Sequence, residues 1–247
     1  MDGLPPLFAH RLGRVHGPDS SRAALRATLL EGVDGVESDV CLTADGRLAL
    51  LHDPWLRAGT TLEGWAHRTA WRDLRRGRLR DRAGAATSEP PMLVEELFDE
   101  VPAEVAVQLD VKAYGDPALA RATVAAIDGV VTRRTDRRRL EVLSFHVAAC
   151  EEAARCGLAA RLIAWADYAP AALGRWAARA GVRGVCIEHF LLHAQLVERL
   201  RAHGLSVATG TINDAALAAR AAALGVDAIS TDQPGALRNE LAAAAAA

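Results

Sequence analysis

From Glu104 onward the chain alternates short apolar runs with helix-spaced segments almost without interruption, and this alternation restricts the fold more than any other feature. Residues 104–112 read as a strand and residues 117–131 as a helix. Further strands are expected at 140–146, 161–166, 182–188, 206–212 and 228–231. Between them, residues 147–156, 170–180, 194–203 and 214–224 carry helical spacing, with Pro170 opening one helix and Gly204 and Gly225 stopping two others. Strands separated by helices pair in parallel, because each crossover needs a helix to cover the sheet.

Upstream, residues 7–11 form a first strand ending on two basic side chains. A helix capped by Ser20 or Ser21 and stopped by Gly32 leads to a second strand around Glu37. The count of eight favours an α/β (β/α)8 TIM barrel over an open sheet, and 247 residues match the ~250 typical of that barrel. One domain, 1–247, is expected, with a small insertion at 54–91 over the C-terminal mouth. The insertion's Trp55, Trp65 and Trp71 read as its own packing or as an apolar wall for a bound alcohol. No GxGxxG or GxxxxGK[ST] loop follows the first strand, which argues against a dinucleotide or P-loop site.

A formal net charge of −2 gives no global attraction to nucleic acid or a membrane surface, and no apolar run approaches the ~20 residues of a membrane span. The arginine runs at 75–82 and 133–139 read as solvated surface. Cys41, Cys150, Cys156 and Cys186 have no CxxC spacing and read as reduced thiols. A cytoplasmic protein without stable membrane insertion is expected.

Residues 35–53, GVESDVCLTADGRLALLHD, carry the chemistry. Glu37 and Asp39 lie two apart in a strand, so both project from one face with Cα atoms roughly 6.5–7 Å apart. Two acids in an apolar strand resist desolvation unless a cation or a function compensates. Asp45-Gly46 makes a tight turn, and residues 47–51 return to deliver His52. On the 104–112 strand, Gln108, Asp110 and Lys112 share the face that would line the barrel interior.

In a barrel, the C-terminal ends of the first strands converge. That brings together His10, Arg11, Glu37, Asp39, His52, Asp110 and Lys112, with Glu188 at the end of the sixth strand on the same rim. Three carboxylates without a cysteine form an all-oxygen set for one divalent cation, Mg²⁺ or Ca²⁺. Arg11 and Lys112 suit a phosphate, and His10 and His52 can act as acid and base. His146 and His189 read as rim residues with structural partners.

At these residues the sequence resembles the glycerophosphodiester phosphodiesterase family. His10-Arg11 is similar to its His-Arg-Gly opening, and Pro18-Asp19-Ser20-Ser21 to its Pro-Glu-Asn-Thr. Glu37-Ser38-Asp39-Val40 resembles Glu-Leu-Asp-Val, while Leu42-Thr43-Ala44-Asp45-Gly46 with His52-Asp53 resembles Leu-Thr-x-Asp-Gly and His-Asp. Leu109-Asp110-Val111-Lys112, Thr211-Ile212-Asn213 and Thr231-Asp232-Gln233-Pro234 match later motifs. The resemblance implies a TIM barrel, a cation on Glu37, Asp39 and Asp110, catalysis by His10 and His52, and a small-molecule phosphodiester substrate.

Three positions depart from the family pattern. Leu12 stands where the family has glycine, Asp110 where it has glutamate, and Gly210 where it has tryptophan. Leu12 is expected to prevent the family's close backbone approach to phosphate. Gly210 is expected to remove one wall of the pocket. A lysophospholipase D-type activity and a non-catalytic barrel that binds a phosphorylated ligand are the alternatives these departures allow.

Overall fold

The computed structural model describes residues 4–164 and 169–246. Nine strands are found among them: β1 (Leu7–Ala9), β2 (Gly35–Leu42), β3 (Leu48–Leu50), β4 (Ala106–Val111), β5 (Leu140–Ser144), β6 (Ala159–Ala164), β7 (Gly184–Glu188), β8 (Ser206–Gly210) and β9 (Ala228–Thr231). All except β3 pair in parallel, in the order β1-β9-β8-β7-β6-β5-β4-β2. Pairing of Phe8 with Gly35 and of Ala9 with Val36 joins β1 to β2 and closes the ring. The fold is therefore a (β/α)8 TIM barrel. β3 lies outside the ring, antiparallel to the end of β2.

The helices are α1 (Arg22–Glu31), α2 (Leu56–Gly59), α3 (Trp71–Leu74), α4 (Val94–Glu100), α5 (Pro117–Arg134), α6 (Val147–Arg155), α7 (Pro170–Ala180), α8 (Ala194–Ala202), α9 (Ala215–Ala223) and α10 (Pro234–Ala246). Ser21, not Ser20, caps α1 by accepting from the Ala24 N–H. Asp116 caps α5, which runs three residues past its expected end until Thr135 turns left-handed.

Period-two alternation sorts β4 between two environments. Val107, Leu109 and Val111 pack outward against α5 residues such as Val124 and Ile127 in the main core, while Gln108 and Asp110 turn inward. The interior is filled in part by Phe8 with Ala208 and Ala228. Gly35 makes this possible, because a Cβ there would lie 2.3 Å from the Phe8 ring. A polar plug adjoins them: Arg161 pairs with Glu141 at 3.0 Å and Gln108 donates to Glu141 at 2.7 Å.

Several strands stop short of their expected ends, because the polar residues that follow them belong to turns. β1 ends at Ala9, and His10–Leu12 form a single 3₁₀ turn. β5 ends at Ser144, which leaves His146 to cap α6 through Nδ1. The expected fifth strand reaches Trp165 and Ala166, which lie outside the described residues.

Residues 54–91 fold onto the β2–β3 hairpin. Leu56, Ala66, Leu74 and Leu79 build a small core there with Cys41, Ala49 and Leu51. Trp55 and Trp65 pair edge to face at 5.2 Å and remain partly exposed. All four cysteines are free. No described helix is long and apolar enough to cross a membrane.

Candidate active site

A cavity of about 250 Å³ opens at the C-terminal ends of the barrel strands. His10, Arg11, Glu37, Asp39, His52, Asp110, Lys112 and Glu188 all line it, so the eight catalytic, phosphate and metal candidates share one cavity. None of its described lining residues comes from 54–91; Trp71 packs against the small core there, whereas Trp55 and Trp65 stand partly exposed.

The carboxylates follow from strand register. Asp39 on β2 stands directly opposite Asp110 on β4, and Glu37 opposite Gln108. Glu37, Asp39 and Asp110 each offer an oxygen within 4.8 Å of the others, and all three are buried. Asp110 reaches the cluster despite being a methylene shorter than the family's glutamate.

Cations already hold part of this cluster. Lys112 Nζ lies 2.8 Å from Asp39 Oδ1 and 2.6 Å from Asp110 Oδ2. Arg11 Nε lies 3.2 Å from Asp39 Oδ2, and Arg11 Nη1 donates to Asp19 at 2.6 Å. The residues expected to meet a phosphate are thus also the internal counter-ions of the acids. Burial would raise the Asp39 carboxyl, but Lys112 and Arg11 outweigh it and bring it below its ordinary value. Glu37 is pushed well above its ordinary value by burial and by Asp39, and burial raises Asp110 to about 6.

Asp39 Oδ2 meets only the Arg11 Nε at 3.2 Å, and Asp110 Oδ1 is buried without any hydrogen-bond donor. Such an orphaned acceptor costs about 1–3 kcal/mol. An all-oxygen donor set with unspent lone pairs fits a hard divalent cation.

The first-strand turn completes the acidic side. Arg11 and Leu12 both adopt left-handed backbone, at φ 47° and 66°. This aims the Arg11 N–H at Glu37 Oε2, 2.9 Å away. Leu12 adopts this left-handed backbone while its side chain is fully buried in the core.

Each histidine is backed by a carboxylate. His10 Nδ1 lies 2.8 Å from Asp232 Oδ1 and 3.3 Å from Thr211 Oγ1. His52 Nδ1 lies 3.2 Å from Asp53 Oδ2. Asn213 Nδ2 donates to the other oxygen of Asp232 at 2.8 Å, and the Asp232 N–H donates to Asn213 Oδ1 at 2.8 Å. Burial alone would raise the Asp232 carboxyl, but the bonds from His10 and Asn213 lower it to about 2. Asp232 was not singled out as a site residue from the sequence. The signal lay in barrel closure: Ala9 pairs with Thr231, so the next residue on each strand meets the other.

A model of the glycerophosphoryl diester phosphodiesterase family matches residues 10–236. The chain belongs to this family.

Among its relatives, a glycerophosphodiester phosphodiesterase of Bacillus altitudinis is 38% identical over 74 residues, 30% of this chain and 30% of that protein. A probable glycerophosphodiester phosphodiesterase 2 of Mycobacterium tuberculosis is 32% identical over 138 residues, 53% of this chain and 50% of that protein. These matches span between about a third and a half of the curated relatives' lengths. An Oleispira antarctica phosphodiesterase, solved in complex with the product sn-glycerol-3-phosphate, shares the fold. It has a TM-score of 0.83 and 23% identity, covering 99% of this chain and 98% of that one.

Within the glycerophosphoryl diester phosphodiesterase family pattern, Gly210 has a local cause. A Cβ at Gly210 would stand 2.7 Å from the Ser230 Cβ, so this backbone leaves no room for a side chain. Glu188 lines the cavity from β7, its carboxyl raised by burial and partly offset by His189.

Proposed function

We propose that the protein is a metal-dependent phosphodiesterase that hydrolyses glycerophosphodiesters to glycerol phosphate and an alcohol, with residues 1–247 acting as one catalytic unit. The observation that carries this reading is the meeting, in one cavity, of a buried three-carboxylate cluster with two histidines each backed by an acid. Glu37, Asp39 and Asp110 would hold one Mg²⁺ or Ca²⁺. Bound there, the cation supplies Lewis-acid polarisation of a phosphoryl oxygen.

The protein's own groups do the rest. Arg11 and Lys112 offset the charge of the phosphodiester, exchanging part of their carboxylate contacts for phosphate oxygens. Asp232 and Asp53 hold their histidines through Nδ1, which leaves Nε2 of each ring to exchange protons. One imidazole takes a proton from the attacking water as the new P–O bond forms. The other gives a proton to the departing alcohol oxygen as the old P–O bond breaks. Glu188, on the β7 side of the cavity, is suited to accept hydroxyl protons of the glycerol moiety in hydrogen bonds.

The test is alcohol release from glycerophosphodiesters in the presence of Mg²⁺ or Ca²⁺. EDTA and His52→Ala are each expected to abolish turnover. Wild-type protein that binds glycerol phosphate but cleaves no diester with either cation would instead mark a non-catalytic phosphate-binding barrel.

A further inference from the structure

Where residues 54–91 meet α1 and α4, a cavity of about 460 Å³ opens that shares no described lining residue with the catalytic one. Its volume falls within the ~300–1,000 Å³ of small-molecule sites. Two members of the arginine run at 75–82, Arg75 and Arg78, border it from the insertion, and Arg22 and Glu96 border it from α1 and α4. Trp71, Pro90 and Pro91 supply carbon surface.

The charges on the barrel side cancel. Arg22 Nη2 lies 2.7 Å from Glu96 Oε1, and Arg22 Nε bonds Glu100. The second oxygen of Glu96 accepts from the Leu93 N–H at 2.8 Å, so this acid is fully engaged. Nearby acids are spent as well: Asp73 meets Arg72 and Arg76 at 3.6 and 3.7 Å, and Glu89 accepts from the Ala23 N–H at 3.2 Å. Among the described residues, no carboxylate pairs with Arg75 or Arg78. The insertion side of the cavity therefore carries two uncompensated positive charges.

Those charges are set beside a flat ring. The Arg75 N–H donates to the Trp71 carbonyl at 2.9 Å, and residues four apart on one helical turn project to the same side. Asp45 Oδ1 in turn accepts from the Trp71 N–H at 2.9 Å, while the indole packs partly against the small core of the insertion. Arg78 is held at one end, because Nη1 donates to the Gly77 and Arg76 carbonyls at 2.9 and 3.3 Å. Its Nε and Nη2 edge has no acceptor among the described residues, and that edge can bind two oxygens of one oxyanion. Pro90 and Pro91 have no N–H to offer, so they add a wall without donors.

We infer that this cavity is a second ligand site, independent of the catalytic one, for a phosphorylated ligand that carries a flat ring. A nucleoside monophosphate is the simplest ligand of that kind. Its phosphate takes Arg75 and Arg78, and its base lies along Trp71 toward the prolines.

The experiment titrates AMP, adenosine and inorganic phosphate into the full chain by calorimetry, with glycerol phosphate in excess to fill the catalytic cavity. Wild-type protein is expected to bind one AMP, and to bind adenosine and phosphate at least about tenfold more weakly, because each makes only half of the contacts. Arg75→Gln and Arg78→Gln are each expected to weaken AMP about fivefold or more. Both side chains are exposed, so the variants are expected to melt as the wild type does. Trp71→Leu is expected to weaken AMP while leaving inorganic phosphate unchanged. Wild-type protein that binds no AMP at millimolar concentration, AMP binding that glycerol phosphate abolishes, or an affinity unmoved by both arginine substitutions overturns the site. Inorganic phosphate that binds as tightly as AMP overturns the aromatic half of the assignment.

Discussion

Asp232 holds His10 across the seam of the barrel: the two residues are 222 positions apart in sequence, yet Nδ1 of one lies 2.8 Å from Oδ1 of the other. The bond fixes which ring nitrogen faces away from the carboxylate, and Asn213 fixes the carboxylate in turn.

Asp232→Asn keeps the shape and removes the charge. Turnover of a glycerophosphodiester is expected to fall by about 10²-fold or more, as when the orienting acid of a catalytic histidine is neutralised. KM is expected to move little. A variant with wild-type kcat would show that His10 needs no such partner.

The same pair sets an acid limit on stability. Its folded-state carboxyl, lowered to about 2, lies below the ordinary value of 3.8. Stability from this group is therefore fully present above about pH 4 and is lost as pH falls toward 2. Allowing for solvent screening, the urea-unfolding difference between wild type and Asp232→Asn is expected to shrink by about 1 kcal/mol between pH 5 and pH 2. A difference constant over that range would contradict the assignment.

Glu37 is held at a cost to the fold, its carboxyl pushed well above its ordinary value by burial and by Asp39. Glu37→Gln retains an oxygen to accept from the Arg11 N–H. The metal-free variant is expected to melt at or above the wild-type temperature, while its Mg²⁺ or Ca²⁺ affinity by calorimetric titration falls at least about tenfold. Unchanged cation affinity would remove Glu37 from the ligand set.

Leu12 opposes two effects in one residue. Glycine would relieve a left-handed strain of about 1–2 kcal/mol. It would also delete a fully buried leucine, for which truncation to alanine alone costs about 3–5 kcal/mol. Leu12→Gly is therefore expected to destabilise by about 2–4 kcal/mol in urea unfolding. A gain in stability would mean that backbone strain outweighs packing at this turn.

The barrel was legible because helix and strand periodicities alternate so regularly, and the site because strand-end residues converge in such a ring. What escaped was everything set by contact between distant segments. Asp232 depends on the register of β9 against β1, which no local pattern encodes. Lys112 was read as a phosphate ligand, and its place between Asp39 and Asp110 required knowing that the two acids stand side by side. The left-handed turn at Leu12 was not legible, because a leucine gives no local signal for positive φ. Burial of the leucine side chain compensates the strained backbone.

Closure of β1 on β9 also orders events during synthesis. Glu37, Asp39, Asp110 and Lys112 come from the first half of the chain, and β2 and β4 can pair as soon as both have emerged. His10 is made 222 residues before Asp232 and waits for it. A nascent chain can thus assemble its acidic cluster early, but it acquires a fully oriented histidine only when the last strand has docked. The proposed activity is in this way a signal that the barrel is complete.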